Sequence, residues 1–283
     1  MIQTHNLSIS AQDHFALSAT LYEPASQPSK GVIVVNSATG VAQTYYKAFA
    51  SFLAEQGYQV LTYDYRGIGA SRPASLRGFS ASMRDWLFCD MASVLEWVKA
   101  HQPQASLFMV GHSFGGQVVG LLPNAEYLAG LVTLSSQNGY WRLQGGGQKQ
   151  AVMLHMHFTL PVLSRLFGYF PFSKISSGED LPKGVALEWA RWCRHPNYLL
   201  DDDTLPLDAF QKFKAPVLAY SFADDMWGTE FAVNAMMSAY PQVTRRHISP
   251  SALGLKSIGH FGAFRPTAQA LWHDIALWFQ AQA

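Results

Sequence analysis

Ser113 stands in Gly111-His112-Ser113-Phe114-Gly115, a Gly-x-Ser-x-Gly pattern. Chance supplies such a pattern in about one chain in ten of this length, given the usual abundance of Gly and Ser. Its surroundings carry the reading. The apolar run 107–110 reads as a strand and the stretch 114–122 as a helix, so the serine falls on a strand-to-helix turn. A turn that sharp needs small residues on both flanks, which Gly111 and Gly115 supply, and Gly116 lets the helix pack close to the strand. The serine is expected in a strained conformation with its hydroxyl exposed.

A serine hydroxyl is a weak nucleophile at neutral pH. It needs a base within hydrogen-bond reach, and the base needs an orienting acid. Of the ten histidines, His260 lies in Ile258-Gly259-His260-Phe261-Gly262, a loop before the last helix that its glycines free to reach over the turn. His273 falls in mid-helix and His247 in or beside a strand. The acid is sought after the apolar run 216–221, where Asp224 and Asp225 both stand. Asp225 is the expected partner of His260. Asp224 is the alternative, its other role being to stabilise the turn or the helix that begins near Thr229. Such a set performs acyl transfer, and a carbonyl oxygen turning into an oxyanion needs N–H donors. Phe114 supplies one. The loop Asn36-Ser37-Ala38-Thr39-Gly40 supplies the other, and Ala38 is the expected donor.

These groups must be placed by elements far apart in the chain. Residues 7–22 alternate weakly and read as a hairpin turning near 11–13. Residues 31–35 are a β-branched run suited to a strand covered on both faces. Residues 45–57 carry apolar residues at helical spacing and end at Gly57; 59–65 is a second core strand. A helix over 82–100, a strand over 128–134, a helix over 229–240, a strand near 246–248 and a helix over 266–282 complete the alternation. Strands alternating with helices through short connections imply an α/β architecture, a mostly parallel sheet with helices on both faces.

The alternation breaks over 137–205, a stretch rich in aromatics and methionines. A structureless loop that long is improbable in a compact domain, so a helical cap is expected there, inserted into a core of 1–136 and 206–283.

The remaining composition excludes more than it assigns. The chain has 283 residues, enough for one large domain, and a formal net charge of +1. That charge offers no basic surplus for nucleic acid or an anionic membrane. Cys89 and Cys193 are too few and too far apart for a disulfide framework and read as reduced thiols. The first residues are neither basic nor apolar, and no stretch reaches the length of a membrane span, so a cytoplasmic protein is expected. No metal or cofactor is implied.

The order of Ala38-Thr39-Gly40, Asp64-Tyr65-Arg66-Gly67-Ile68-Gly69-Ala70-Ser71, Gly111 to Gly116, Asp224-Asp225 and Gly259-His260 resembles the α/β-hydrolase superfamily, over nearly the whole chain outside 137–205. Gly168-Tyr169-Phe170-Pro171, Asp180 to Val185, Trp189 to Cys193 and Gly259 to Arg265 are similar to a group of bacterial α/β-hydrolases of unassigned substrate. The resemblance implies the α/β-hydrolase fold, the Ser-His-Asp set and a helical cap. It departs from the common pattern where Asn36-Ser37 replaces a His-Gly pair.

In such folds ligands bind beyond the carboxyl ends of the strands, so the cap would roof Ser113. Trp141, His155, Trp189 and Trp192 are the expected substrate-lining residues. His157, like His155, is read as cavity-lining or as a hydrogen-bonded structural residue, Asp201-Asp202-Asp203 as a hinge or helix start rather than a cation site, and Arg191 and Arg194 as salt-bridging or carboxylate-binding. The expected activity is hydrolysis of a small carboxylic ester, thioester or amide through an acyl-serine. An acyltransferase with the same residues and a non-catalytic binder are the alternatives.

Overall fold

A computed structural model describes residues 2–25, 29–175 and 178–283. Gln3–Ser10 (β1) and Ala16–Glu23 (β2) pair antiparallel, and β1 is largely exposed, as an edge strand is. Val32–Asn36 (β3), Gln59–Tyr63 (β4), Leu107–His112 (β5) and Leu128–Leu134 (β6) are buried along nearly their whole length. Tyr169–Phe170 (β7) and Leu181–Pro182 (β8) form a separate antiparallel ribbon. Val217–Phe222 (β9) and Val243–Ile248 (β10) complete the set.

Eight strands join in the order β1-β2-β4-β3-β5-β6-β9-β10. From β4 to β10 the neighbours are parallel, and β2 meets β4 antiparallel. Alternate residues of each inner strand enter different cores. Val34 and Met109 face Val94, Leu95 and Met236, while Ile33, Val35, Phe108 and Val110 face Phe49, Leu53, Ile275 and Phe279.

The helices are Lys47–Glu55 (α1), Ala92–His101 (α2), Phe114–Gln117 (α3), Gln148–Leu154 (α4), Leu160–Phe167 (α5), Lys183–Cys193 (α6), Ala209–Lys212 (α7), Glu230–Met237 (α8) and Gln269–Gln280 (α9). α1 and α9 cover one face of the sheet, α2 and α8 the other. The stretch 137–205 holds α4 to α6 and, beyond the helical expectation, the β7–β8 ribbon.

Two helices differ from their sequence pattern. The expected helix over 82–100 starts as a π-helical turn, Asp85–Met91, from which Trp86 and Asp90 both hold Arg66. The expected helix over 114–122 stops after Gln117 and continues as a 3-10 turn, Val119–Leu121. The reason is Tyr240. Its hydroxyl accepts the Gly120 N–H at 2.9 Å and donates to the Gly116 carbonyl at 3.3 Å, taking the two groups that the next helical bond would have joined.

The chain leaves β3 for β4 on one side and returns to β5 on the other. The loops after β3 and β5 therefore diverge and open a crevice at the carboxyl edge of the sheet, where Ser113 lies.

Candidate active site

Ser113 has φ 50° and ψ −119°, in the positive-φ region that side chains other than glycine rarely enter. The turn is held by close approach of backbone to backbone. A Cβ at Gly111 would lie 2.2 Å from Gly116 Cα, and one at Gly115 would lie 2.3 Å from the Asn36 carbonyl oxygen. The strain on Ser113 is thus fixed by neighbours that have no room to relax. Contrary to the expected exposure, Ser113 is buried beneath the residues that line the cavity, and its hydroxyl points to the Gln137 amide oxygen, 3.4 Å away.

His260 sits in the loop before α9, tied down residue by residue. Ile258 and Gly259 donate their N–H groups to Asp224 at 2.8 and 3.0 Å. The His260 carbonyl accepts from His112 Nε2 at 2.8 Å, and the Phe261 carbonyl accepts from the Tyr45 hydroxyl at 2.7 Å. The imidazole Nδ1 of His260 lies 2.8 Å from Asp225 Oδ2. Facing a carboxylate, Nδ1 carries the hydrogen, which leaves Nε2 with its lone pair. The other Asp225 oxygen accepts the N–H groups of Trp227 at 2.9 Å and Gly228 at 2.8 Å. Burial pushes the Asp225 carboxyl up, but His260 and the Gly228 N–H pull it further down, to about 2. Asp225 is an anion throughout the neutral range, and Asp224 serves the backbone of the base loop.

The structure brings Ser113, His260 and Phe114 to one cavity of about 290 Å³, with Asp225 behind His260. Among the described residues, no hydrogen bond joins Ser113 to His260. The Phe114 N–H has no partner among the described residues and is available as an oxyanion donor. The expectation for Ala38 needs correction. Ala38 lines the cavity, but its N–H donates to the Tyr46 hydroxyl at 2.9 Å and is taken. Thr39 beside it also lines the cavity, and its N–H has no partner among the described residues.

His155 and Trp189 line the cavity, alongside Met156, Leu160 and Phe170. Burial lowers the pKa of His155, which favours its neutral form. Trp141 and Trp192 do not line it, contrary to expectation. Trp141 packs on Tyr140 and His157 under the Arg142 guanidinium. Trp192 is buried with its indole N–H donating to Asp202 at 2.7 Å. That carboxylate also takes Arg84 and Arg191, so Asp202 and Arg191 belong to an ion-pair cluster. Arg194 likewise lies away from the cavity. His157 Nδ1 bonds the Met153 carbonyl at 2.9 Å.

Residues missed at the sequence level fill the polar part of the cavity. Gln137 follows β6 at the strand's carboxyl end. Gln117 donates to the Gln137 carbonyl at 2.8 Å and accepts from the Tyr198 hydroxyl at 3.1 Å. The position of Gln137 just past a core strand was the available signal. Trp227, from the turn after β9, stands across from Trp189 with ring centroids 6.4 Å apart and planes 23° from parallel. The described residues contain no group of three or more His, Cys, Asp or Glu placed to hold a metal ion. Among them, no helix is long and apolar enough to cross a membrane.

A mostly parallel sheet, a serine on a strained strand-to-helix turn and a His–Asp pair brought in from later loops define an α/β-hydrolase. More narrowly, the chain belongs to the family described as serine aminopeptidase, S33, whose model matches residues 27–185. The chain is 28% identical over 118 residues to protein phosphatase methylesterase 1 of Candida albicans. That match covers 41% of this chain and 31% of that protein, so the chain spans about a third of the length of the curated relative it matches. Among solved structures, it is similar in fold to Est1E of Butyrivibrio proteoclasticus with ferulic acid bound, at a TM-score of 0.66 and 16% identity over 98% of each chain. It is also similar to a thermophilic esterase of Thermogutta terrifontis, at a TM-score of 0.64 and 15% identity over 98% of this chain and 99% of that one. An α/β serine hydrolase of Xanthomonas campestris, described as without a lid, gives a TM-score of 0.58 at 16% identity, over 98% of this chain and 95% of that one.

Proposed function

We propose that the protein is a serine hydrolase that cleaves an uncharged carboxylic ester. The observation that carries this reading is the Asp225–His260 pair, 2.8 Å apart, beside a strained serine in one cavity. On substrate binding the Ser113 hydroxyl turns from Gln137 to His260 Nε2. Its oxygen attacks the ester carbonyl carbon as His260 takes the proton, and the Phe114 N–H with that of Thr39 binds the oxyanion. His260 then protonates the departing alkoxide as the carbon–oxygen bond breaks, leaving acyl-Ser113 and an alcohol. A water attacks the acyl carbon, passes its proton to His260, and Ser113 leaves and recovers that proton. Asp225 keeps the ring oriented and stabilises the imidazolium in both halves.

The cavity supports an uncharged substrate. Its described lining includes no Asp, Glu, Lys or Arg. A free α-ammonium or carboxylate would enter without a counter-charge, at a desolvation cost of several kcal/mol. Aminopeptidase activity, which requires that ammonium, is therefore disfavoured although the family description carries it. Instead, the apolar wall to which Trp189, Trp227, Met156, Leu160 and Phe170 contribute suits a flat or aliphatic body, with the glutamine amides for a polar tip.

The test is steady-state hydrolysis of p-nitrophenyl esters against aminoacyl p-nitroanilides. The expected kcat/KM for a short-chain ester exceeds that for the anilides by at least about 100-fold, and Ser113→Ala abolishes both. Equal or better use of the free-amine substrates would overturn the substrate class.

A further inference from the structure

Between Ser113 and the base loop lies a buried polar chain that the reaction above does not use. His112, beside the nucleophile, is fully buried. Its Nε2 lies 2.8 Å from the His260 carbonyl and its Nδ1 lies 2.8 Å from the Tyr46 hydroxyl. Tyr46 is also fully buried, and its oxygen accepts the Ala38 N–H at 2.9 Å.

Hydrogen positions in this chain follow from what each atom is able to do. A carbonyl only accepts, so His112 Nε2 carries the hydrogen. His112 is neutral: burial lowers its pKa to about 3, assisted by the neighbouring His260. Nδ1 is then a bare acceptor, and the Tyr46 hydroxyl donates to it. That hydroxyl is satisfied as an acceptor by Ala38. The chain therefore runs one way, from the Ala38 N–H through the Tyr46 hydroxyl and the His112 ring to the His260 carbonyl. It joins the loop after β3, the nucleophile turn and the base loop.

We propose that His112, held in a single tautomer by Tyr46, is a positioning residue that fixes the height of His260 over Ser113. The inference rests on the reading of Ser113 and His260 as nucleophile and base. Other ties hold the loop by its flanks, through Asp224 and Tyr45, whereas His112 holds the backbone of the base itself. Because the histidine belongs to the turn that presents Ser113, both reacting groups are referenced to one rigid element. A displacement of about 1 Å between such groups is enough to cost about 100-fold in rate.

The experiment compares wild type, His112→Gln, His112→Leu and Tyr46→Phe for the rate of Ser113 labelling by a fluorophosphonate, for kcat and KM, and for melting temperature. Wild-type protein is also labelled with 15N for imidazole NMR. The glutamine amide is able to donate to the His260 carbonyl; leucine is not. The leucine variant is expected to label about 10- to 100-fold more slowly, with the loss in kcat and KM little changed, and glutamine is expected to recover most of that loss. Tyr46→Phe should fall between them. The spectrum should show His112 protonated at Nε2 alone down to pH 5.

A folded leucine variant that labels at the wild-type rate, or a glutamine variant no better than leucine, would overturn the proposal. So would a His112 that titrates near neutral pH, an outcome read on wild type even if the leucine variant fails to fold. Wild-type protein that is not labelled at all would instead defeat the reading of Ser113. The tautomer is observed without turnover, so the two failures are distinguishable.

Discussion

Asp224 and Asp225 are adjacent carboxylates with different duties, and the difference lies in what each oxygen touches. Asp225 gives one oxygen to the His260 ring and the other to two backbone N–H groups; Asp224 gives both of its oxygens to the backbone of the base loop. Asp225→Asn presents an amide that fails to hold the reactive tautomer, and kcat is expected to fall by about 10⁴-fold. Asp224→Asn leaves the ring's partner in place and loosens the loop, with an expected loss of about tenfold. Equal losses in the two variants, measured on one ester, would contradict this division. That Ser113, His260 and Asp225 come together was legible in the sequence because the chemistry they suit restricts their types and chain order. Ala38 was not, since its N–H is claimed by a tyrosine hydroxyl in the following helical turn, a contact that no periodicity encodes. Trp141 and Trp192 fail for a related reason. An aromatic residue in a helical insertion must be buried somewhere, but its type does not say whether it faces the cavity or an ion-pair cluster such as that of Asp202.

The elements that carry these residues were read mostly from apolar runs. β3, β5, β6 and β9 are continuous and covered on both faces, so both their existence and their approximate limits were legible. The helix after Ser113 was overextended because its composition permits more turns than the fold allows. Tyr240 ends it by inserting a hydroxyl between Gly116 and Gly120, both buried. Tyr240→Phe strands a buried donor and a buried acceptor in this segment. The expected loss is about 1–3 kcal/mol of unfolding free energy, measured by urea denaturation, with KM unchanged because Tyr240 does not line the cavity. A variant as stable as wild type would show that the helix stops for another reason.

At the scale of the molecule, the strand order sets the site. β3 and β5 are neighbours whose continuations leave on opposite sides, and the groups from the loops after β3, β5, β9 and β10 converge over that crevice. Convergence also links the site to acid stability. The folded Asp225 pKa lies near 2, below the ordinary 3.8, so its contribution is fully present above about pH 4 and disappears as pH falls towards 2. The difference amounts to about 2 kcal/mol for a buried group. Urea denaturation of wild type and Asp225→Asn should show a gap in stability that is about that much larger at pH 7 than at pH 2; a pH-independent gap would contradict the coupling. The sheet and the convergence of the four loops were legible from the alternation of strands and helices, while the internal arrangement of 137–205 was not, because its helices pack by contacts specific to this chain. The central claim is that Ser113 is activated by His260. Treatment with a fluorophosphonate followed by mass-spectrometric mapping of the adduct tests it most directly, with His260→Ala as control. The account predicts a single adduct on Ser113 that falls at least about 100-fold in rate in the control. An unlabelled Ser113 in the folded wild-type protein, or equal labelling in the control, would contradict it.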